Sequence, residues 1–97
     1  MAFDPNGLDE VIHGRMRLGI MAYLAEVSPA AFTELAQALG ATNGNLSVHL
    51  TKLEAAGYVK TQKARGRGRG LTTAALTKDG RAAWAAYLDQ MRGLLGG

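Results

Sequence analysis

The chain has 97 residues, 47% of them hydrophobic, 20% charged and none cysteine. That composition suits one small folded domain and excludes a disordered tail, disulfides and thiolate metal sites. The net charge of +3 divides unevenly: residues 1–57 carry three basic and six acidic groups, and residues 58–97 carry eight basic and two acidic. A concentrated positive field of this kind attracts a polyanion, nucleic acid before anionic membrane, although a solvated basic face has the same composition. No apolar run approaches the roughly 20 residues of a spanning helix, and the first residues lack a basic-then-apolar leader pattern. The expectation is a soluble, cytoplasmic protein with no membrane partner.

Residues 1–7 contain Pro5 and Gly7, which break regular structure. A first helix is predicted over residues 8–27. Leu8, Val11, Ile12, Leu18, Ile20, Met21, Leu24 and Val27 supply its apolar positions, and Asp9 and Glu10 lie in a first turn that favours carboxylates. Ser28-Pro29 ends it. Residues 32–57 read as two short helices. Leu35, Ala36 and Leu39 mark the first, and Gly40 stops it. Thr42 is the predicted N-cap of the next, in which Leu46, Leu50, Leu53 and Gly57 form a narrow stripe. The opposite face carries Asn43, Asn45, His49 and Lys52. Two short helices around a tight turn, the second polar outside, have the form of a helix-turn-helix.

Residues 58–77 read as a β-hairpin: a strand over 58–63, a loop over 64–70 and a returning strand over 71–77. The loop alternates Arg65, Arg67 and Arg69 with Gly66, Gly68 and Gly70. Residues 78–95 form the last predicted helix, capped by Thr77. There Trp84, Tyr87, Leu88, Met91, Leu94 and Leu95 make a stripe broader than a small monomer needs, so part of it is expected to face a second subunit. The fold class is mainly α (α+β): three helices, a hairpin and a C-terminal dimerisation helix.

Three patches carry a family resemblance. Residues 12–21, IHGRMRLGIM, are similar to an "IHxxxRLxIM" run. Residues 46–59, LSVHLTKLEAAGYV, resemble the "SxHLxxLexaGyV" signature of a recognition helix and its strand. Residues 76–81, LTKDGR, match "LTxxGr" after a hairpin. With the element order, the sequence resembles winged-helix transcriptional regulators of the ArsR and MarR kind, and among them a family of small stand-alone winged-helix DNA-binding domains. The likeness runs from about residue 8 to residue 95. The plain Arg-Gly loop departs from relatives that carry proline or aromatic residues there.

The resemblance implies that the second helix of the helix-turn-helix enters a DNA major groove. Thr42, Asn43, Asn45, Ser47, His49 and Lys52 are then the candidate contacts. An Asn amide pairs with adenine N6 and N7, and Lys52 suits a phosphate. The plainer alternatives are a turn role for Asn43 and solvation for Asn45. Lys63, Arg65, Arg67 and Arg69 are the candidates on the wing, for phosphate or minor groove; otherwise they keep a loop tip soluble. Leu8, Ile12, Trp84, Tyr87, Leu88, Met91 and Leu95 are the expected homodimer interface.

His13 shares a predicted helix face with Asp9 and Glu10. One helix rarely completes a metal shell, so a structural hydrogen bond, across the dimer in one version, is the expectation. Neither a nucleophile–base pair, paired carboxylates nor a phosphate-binding glycine loop is evident, so neither enzyme chemistry nor a cofactor is expected. The leading expectation is a homodimeric regulator, a repressor, on a pseudo-palindromic double-stranded operator. A winged-helix module for protein interaction and a nucleoid-type protein reading only backbone are the alternatives. No effector is legible.

Overall fold

The computed structural model describes residues 7–64 and 71–96. In chain order the elements are α1 (Arg15–Glu26), β1 (Ala30–Ala31), α2 (Phe32–Leu39), α3 (Asn43–Ala55), β2 (Val59–Ala64), β3 (Leu71–Leu76) and α4 (Lys78–Leu94). The strands form one antiparallel sheet in the order β1-β3-β2. No described helix is long and apolar enough to cross a membrane.

Helix α1 starts seven residues later than the apolar spacing predicts. Residues 8–14 form turns, not helix. The Asp9 carboxylate accepts from the amides of Val11 (2.9 Å) and Ile12 (3.4 Å), and the Asp9 carbonyl accepts from the His13 amide (2.7 Å). Gly14 is extended, and its carbonyl accepts the first helical bond, from Leu18 (2.7 Å). An apolar spacing of three and four residues fits a compact turn as well as a helix. Asp9, expected to complement a helix dipole, uses its side chain to satisfy turn amides instead.

Two helix ends shape the helix-turn-helix, and both use the same device. At the end of α2, Ala41 donates to the Ala36 carbonyl (2.9 Å) and Gly40 to Gln37 (3.3 Å). At the end of α3, Tyr58 donates to Leu53 (3.0 Å) and Gly57 to Glu54 (2.9 Å). These are Schellman motifs, whose penultimate residue takes left-handed φ. Glycine occupies it both times, with φ of 63° at Gly40 and 83° at Gly57. Thr42 caps α3 as predicted, its Oγ1 accepting from the Asn45 amide (3.1 Å).

The short β1 was not legible in two alanines. It is held where the Ser28 hydroxyl accepts from the Leu76 amide (2.9 Å), which brings Ala30 opposite Ala74. On the other edge of β3, β2 pairs from Val59↔Leu76 to Ala64↔Leu71. Helix α4 is seated by Thr77. Its Oγ1 accepts from the Gly80 amide (2.9 Å) and donates to the Gly57 carbonyl (2.6 Å), while its own amide donates to the Tyr58 carbonyl (3.0 Å). Gly80 is buried, and a Cβ there would lie 2.1 Å from the Tyr58 carbonyl oxygen. The "LTxxG" pattern therefore has a steric cause: the start of α4 lies directly on Tyr58, in the link between α3 and β2.

The core is continuous. Ile20, Met21 and Leu24 of α1, Leu35 of α2, Leu46, Leu50 and Leu53 of α3, Val59, Leu76 and Tyr87 are all buried, as is Ile12 from the leading turn. Each fully buried side chain of this size contributes roughly 1.5–3 kcal/mol.

Candidate nucleic-acid interface

With Leu46, Leu50 and Leu53 buried, the remaining residues of α3 divide by position. Asn43, Gly44, Asn45, Ser47, Val48, Thr51 and Lys52 are exposed, and His49 is half-buried. Residues three and four apart share a ridge on a helix. Asn45, Val48 and Lys52 form one ridge, and Asn43, Ser47 and Thr51 form another. Thr42, a candidate contact, has its hydroxyl oxygen engaged in the cap. Thr51 Oγ1 donates to the Ser47 carbonyl (2.9 Å).

Val48 did not figure among the sequence candidates, yet it is 53% exposed on the outer ridge. A helix interior offers no polar motive for an exposed valine. Its spacing opposite the leucine stripe is the signal in the sequence, and its side chain carries no hydrogen-bonding group to mark it. An apolar side chain there suits a thymine methyl.

His49 is set apart from the other candidates. Its Nδ1 lies 3.1 Å from Nη1 of Arg17 on α1. Burial, then the charges of Arg17 and Lys52, hold its imidazole below the ordinary histidine value. Arg17 also donates to carbonyl oxygens of the leading turn, Nε to Val11 (2.6 Å) and Nη2 to Glu10 (3.5 Å). Arg15, Met16, Leu39, Asn45 and His49 line an open groove where α1, α2 and α3 meet.

The same turn is tied on its other sides. Asp9 accepts from the Tyr58 hydroxyl (2.5 Å), whose pKa is pushed up to about 12 by that bond and by burial. His13 Nδ1 is 2.8 Å from the Tyr87 hydroxyl. The structural hydrogen bond expected of His13 is thus made within the chain.

On the hairpin, Lys60 and Lys63 are exposed, with Lys63 opposite Thr72 near the strand ends. Arg65, Arg67 and Arg69 lie outside the described residues.

The expected dimer residues separate into two groups. Ile12 and Tyr87 are 0% and 2% exposed, enclosed by the chain's own core, and they offer no surface to a second copy. This corrects the sequence expectation: both lie on apolar stripes, and a stripe does not say which of its members face inward. Tyr87 also stacks on Trp84, with ring centroids 5.8 Å apart. Leu8, Trp84, Leu88 and Met91 are half-buried, and Leu95 is 79% exposed.

This arrangement can offer amide, hydroxyl and methyl groups to a groove from one helix, while cationic groups follow on the hairpin. Comparison with known proteins agrees. Residues 16–95 match the family described as winged helix DNA-binding domain. The chain is 35% identical over 82 residues to an uncharacterized protein of Methanocaldococcus jannaschii, covering 84% of this chain and 89% of that one. A transcriptional regulator homologue from Pyrococcus horikoshii superposes with a TM-score of 0.86 at 30% identity, over 92% of this chain and 88% of that one. A structure from Enterococcus faecalis, described as a transcriptional regulator of the MarR family, gives a TM-score of 0.74 at 25% identity, over 84% and 74%. With its exposed α3 face, paired helix-terminating glycines and hairpin, the chain belongs to the winged helix DNA-binding domain family.

Proposed function

We propose that the chain is a sequence-specific, double-stranded DNA-binding transcriptional regulator that acts as a cytoplasmic homodimer and represses by occupying its operator. The observation that carries this reading is α3: three leucines lock it to the core, and its outer ridges expose Asn43, Asn45, Ser47, Val48 and Lys52. In the major groove, Asn45 and Val48 would read adenine and thymine edges, and Lys52 a phosphate. Lys63 and the arginines at 65, 67 and 69 would grip backbone or minor groove. The apolar end of α4, with Leu88 and Met91 half-covered and Leu95 exposed, supports pairing of two copies. Two such copies would place their recognition helices one DNA turn apart, about 34 Å.

Selection from random duplexes tests this. A palindromic consensus is expected. Salt-sensitive binding without a consensus would favour a nucleoid-type protein, and absence of binding would favour a protein-interaction module.

A further inference from the structure

Among the described residues, Arg17 supplies the side-chain hydrogen bond that joins α1 to α3. A guanidinium stays protonated and has donors only. Here its orientation is set from behind: Nε donates to the Val11 carbonyl at 2.6 Å, and Nη2 lies 3.5 Å from the Glu10 carbonyl. The turn that holds these carbonyls is fixed by Asp9, through the Val11 amide and the Tyr58 hydroxyl. Nη1 then faces His49 Nδ1 at 3.1 Å. A donor can satisfy that nitrogen only if it carries a lone pair, so the proton of the neutral ring resides on Nε2.

We propose that Arg17 is a positioning residue that fixes His49 as its Nε2–H tautomer, making His49 a hydrogen-bond donor, beside Asn45, to an acceptor on DNA. The inference rests on the DNA-binding reading above. It also narrows that reading. An imidazole of free tautomer can donate or accept; a fixed Nε2–H can meet guanine N7 or O6, adenine N7, thymine O4 or a phosphate oxygen, and cannot accept from adenine N6 or cytosine N4. His49 and Asn45 line the same groove, so one donor-only group and one amide would act together.

Two measurements on the full chain test it. In the free protein with 15N-labelled histidine, above the pH of histidine titration, NMR should show His49 with Nε2 protonated and Nδ1 bare. Arg17→Met should yield a mixture of tautomers. A wild-type Nδ1–H tautomer overturns the proposal. On a duplex recovered by selection, His49→Ala should lose roughly tenfold in affinity, as for one lost recognition contact. Glutamine carries its amide near the place of Nε2 and asparagine near that of Nδ1. His49→Gln should therefore recover most of that loss and His49→Asn should not; the reverse order overturns the proposal without requiring any Arg17 variant to fold.

A loss confined to duplexes with one particular base pair identifies a base acceptor, and an equal loss on all duplexes identifies a phosphate. If Arg17→Met scrambles the tautomer yet binds like wild type, the positioning role fails while the DNA-binding reading stands. If wild type binds no duplex, both fall.

Discussion

Helices α3 and α4 treat their apolar residues differently. The 13-residue α3 buries all three of its leucines and leaves Val48 as its exposed large apolar side chain. The 17-residue α4 buries Gly80 and Tyr87, keeps Trp84, Leu88 and Met91 half-covered, and exposes Leu94 and Leu95. Helix α3 is thus positioned by its own chain and turns polar groups outward. Helix α4 is seated at one end by Thr77 and Gly80 and carries uncovered apolar surface at the other. The difference fits the two partners proposed above, base edges of DNA for α3 and a second copy for α4.

The largest expected effect comes from loosening α3. Leu53→Ala should destabilise the fold by about 3 kcal/mol, read as a lower midpoint in urea, because it leaves a cavity where a side chain is fully buried in the core. Retention of the wild-type midpoint would mean that α3 is not anchored as described. Next is the seat of α4. Gly80→Ala forces a methyl toward the Tyr58 carbonyl and should cost about 1–3 kcal/mol. Gly93→Ala in the same helix, where a Cβ meets nothing within 4 Å, should instead stabilise by up to about 1 kcal/mol. Equal effects at the two glycines would remove the steric account of the "LTxxG" pattern.

Changing the free end of α4 should leave the fold of one copy intact. Leu94→Lys with Leu95→Lys is expected to shift sedimentation toward a monomer, with an unchanged thermal midpoint at a dilution where the wild type is monomeric too. An unaltered assembly would place the self-contact elsewhere. A smaller effect is expected from acid. The His49 pKa is lowered in the folded chain by burial, then by Arg17 and Lys52, so the unfolded chain takes up the proton first. The contribution of this group is full above the ordinary value of 6.5 and is lost as pH falls through that value toward the folded one. His49→Gln should make stability less sensitive to pH in that window.

Much of this was legible in residue types. Gly40 and Gly57 marked helix ends because left-handed backbone excludes most side chains, and Thr42 and Thr77 marked helix starts because a hydroxyl satisfies free amides. Three features were not legible. The start of α1 at Arg15 depends on Asp9 bonding turn amides, which apolar spacing does not register. Strand β1 depends on Ser28 meeting Leu76, 48 residues away. The division of the dimer stripe, with Ile12 and Tyr87 inside, depends on packing between distant segments. At the candidate site, the asparagines, Ser47 and Lys52 were named from their chemistry, and all are exposed on α3. Val48 and the Arg17–His49 contact required the helix faces to be placed.

Charge separates the site as well. The α3 segment carries one cation and one anion, Lys52 and Glu54, whereas residues 60–81 carry seven basic groups and one acidic one. On the proposed reading, sequence preference resides in α3 and electrostatic grip in the hairpin. Salt titration of binding to a selected duplex and its single-base variants tests this most directly, comparing Asn45→Ala with the triple replacement of Arg65, Arg67 and Arg69 by alanine. Asn45→Ala should relax preference at one base pair, by about 1–3 kcal/mol, with the salt slope unchanged. The triple variant removes six arginines from a bound dimer, so it should weaken all duplexes alike and reduce the slope by roughly five, about 0.9 for each lost phosphate contact. If both variants alter the same quantity, or if Asn45→Ala changes the slope while the arginines change the base preference, the division of labour is wrong.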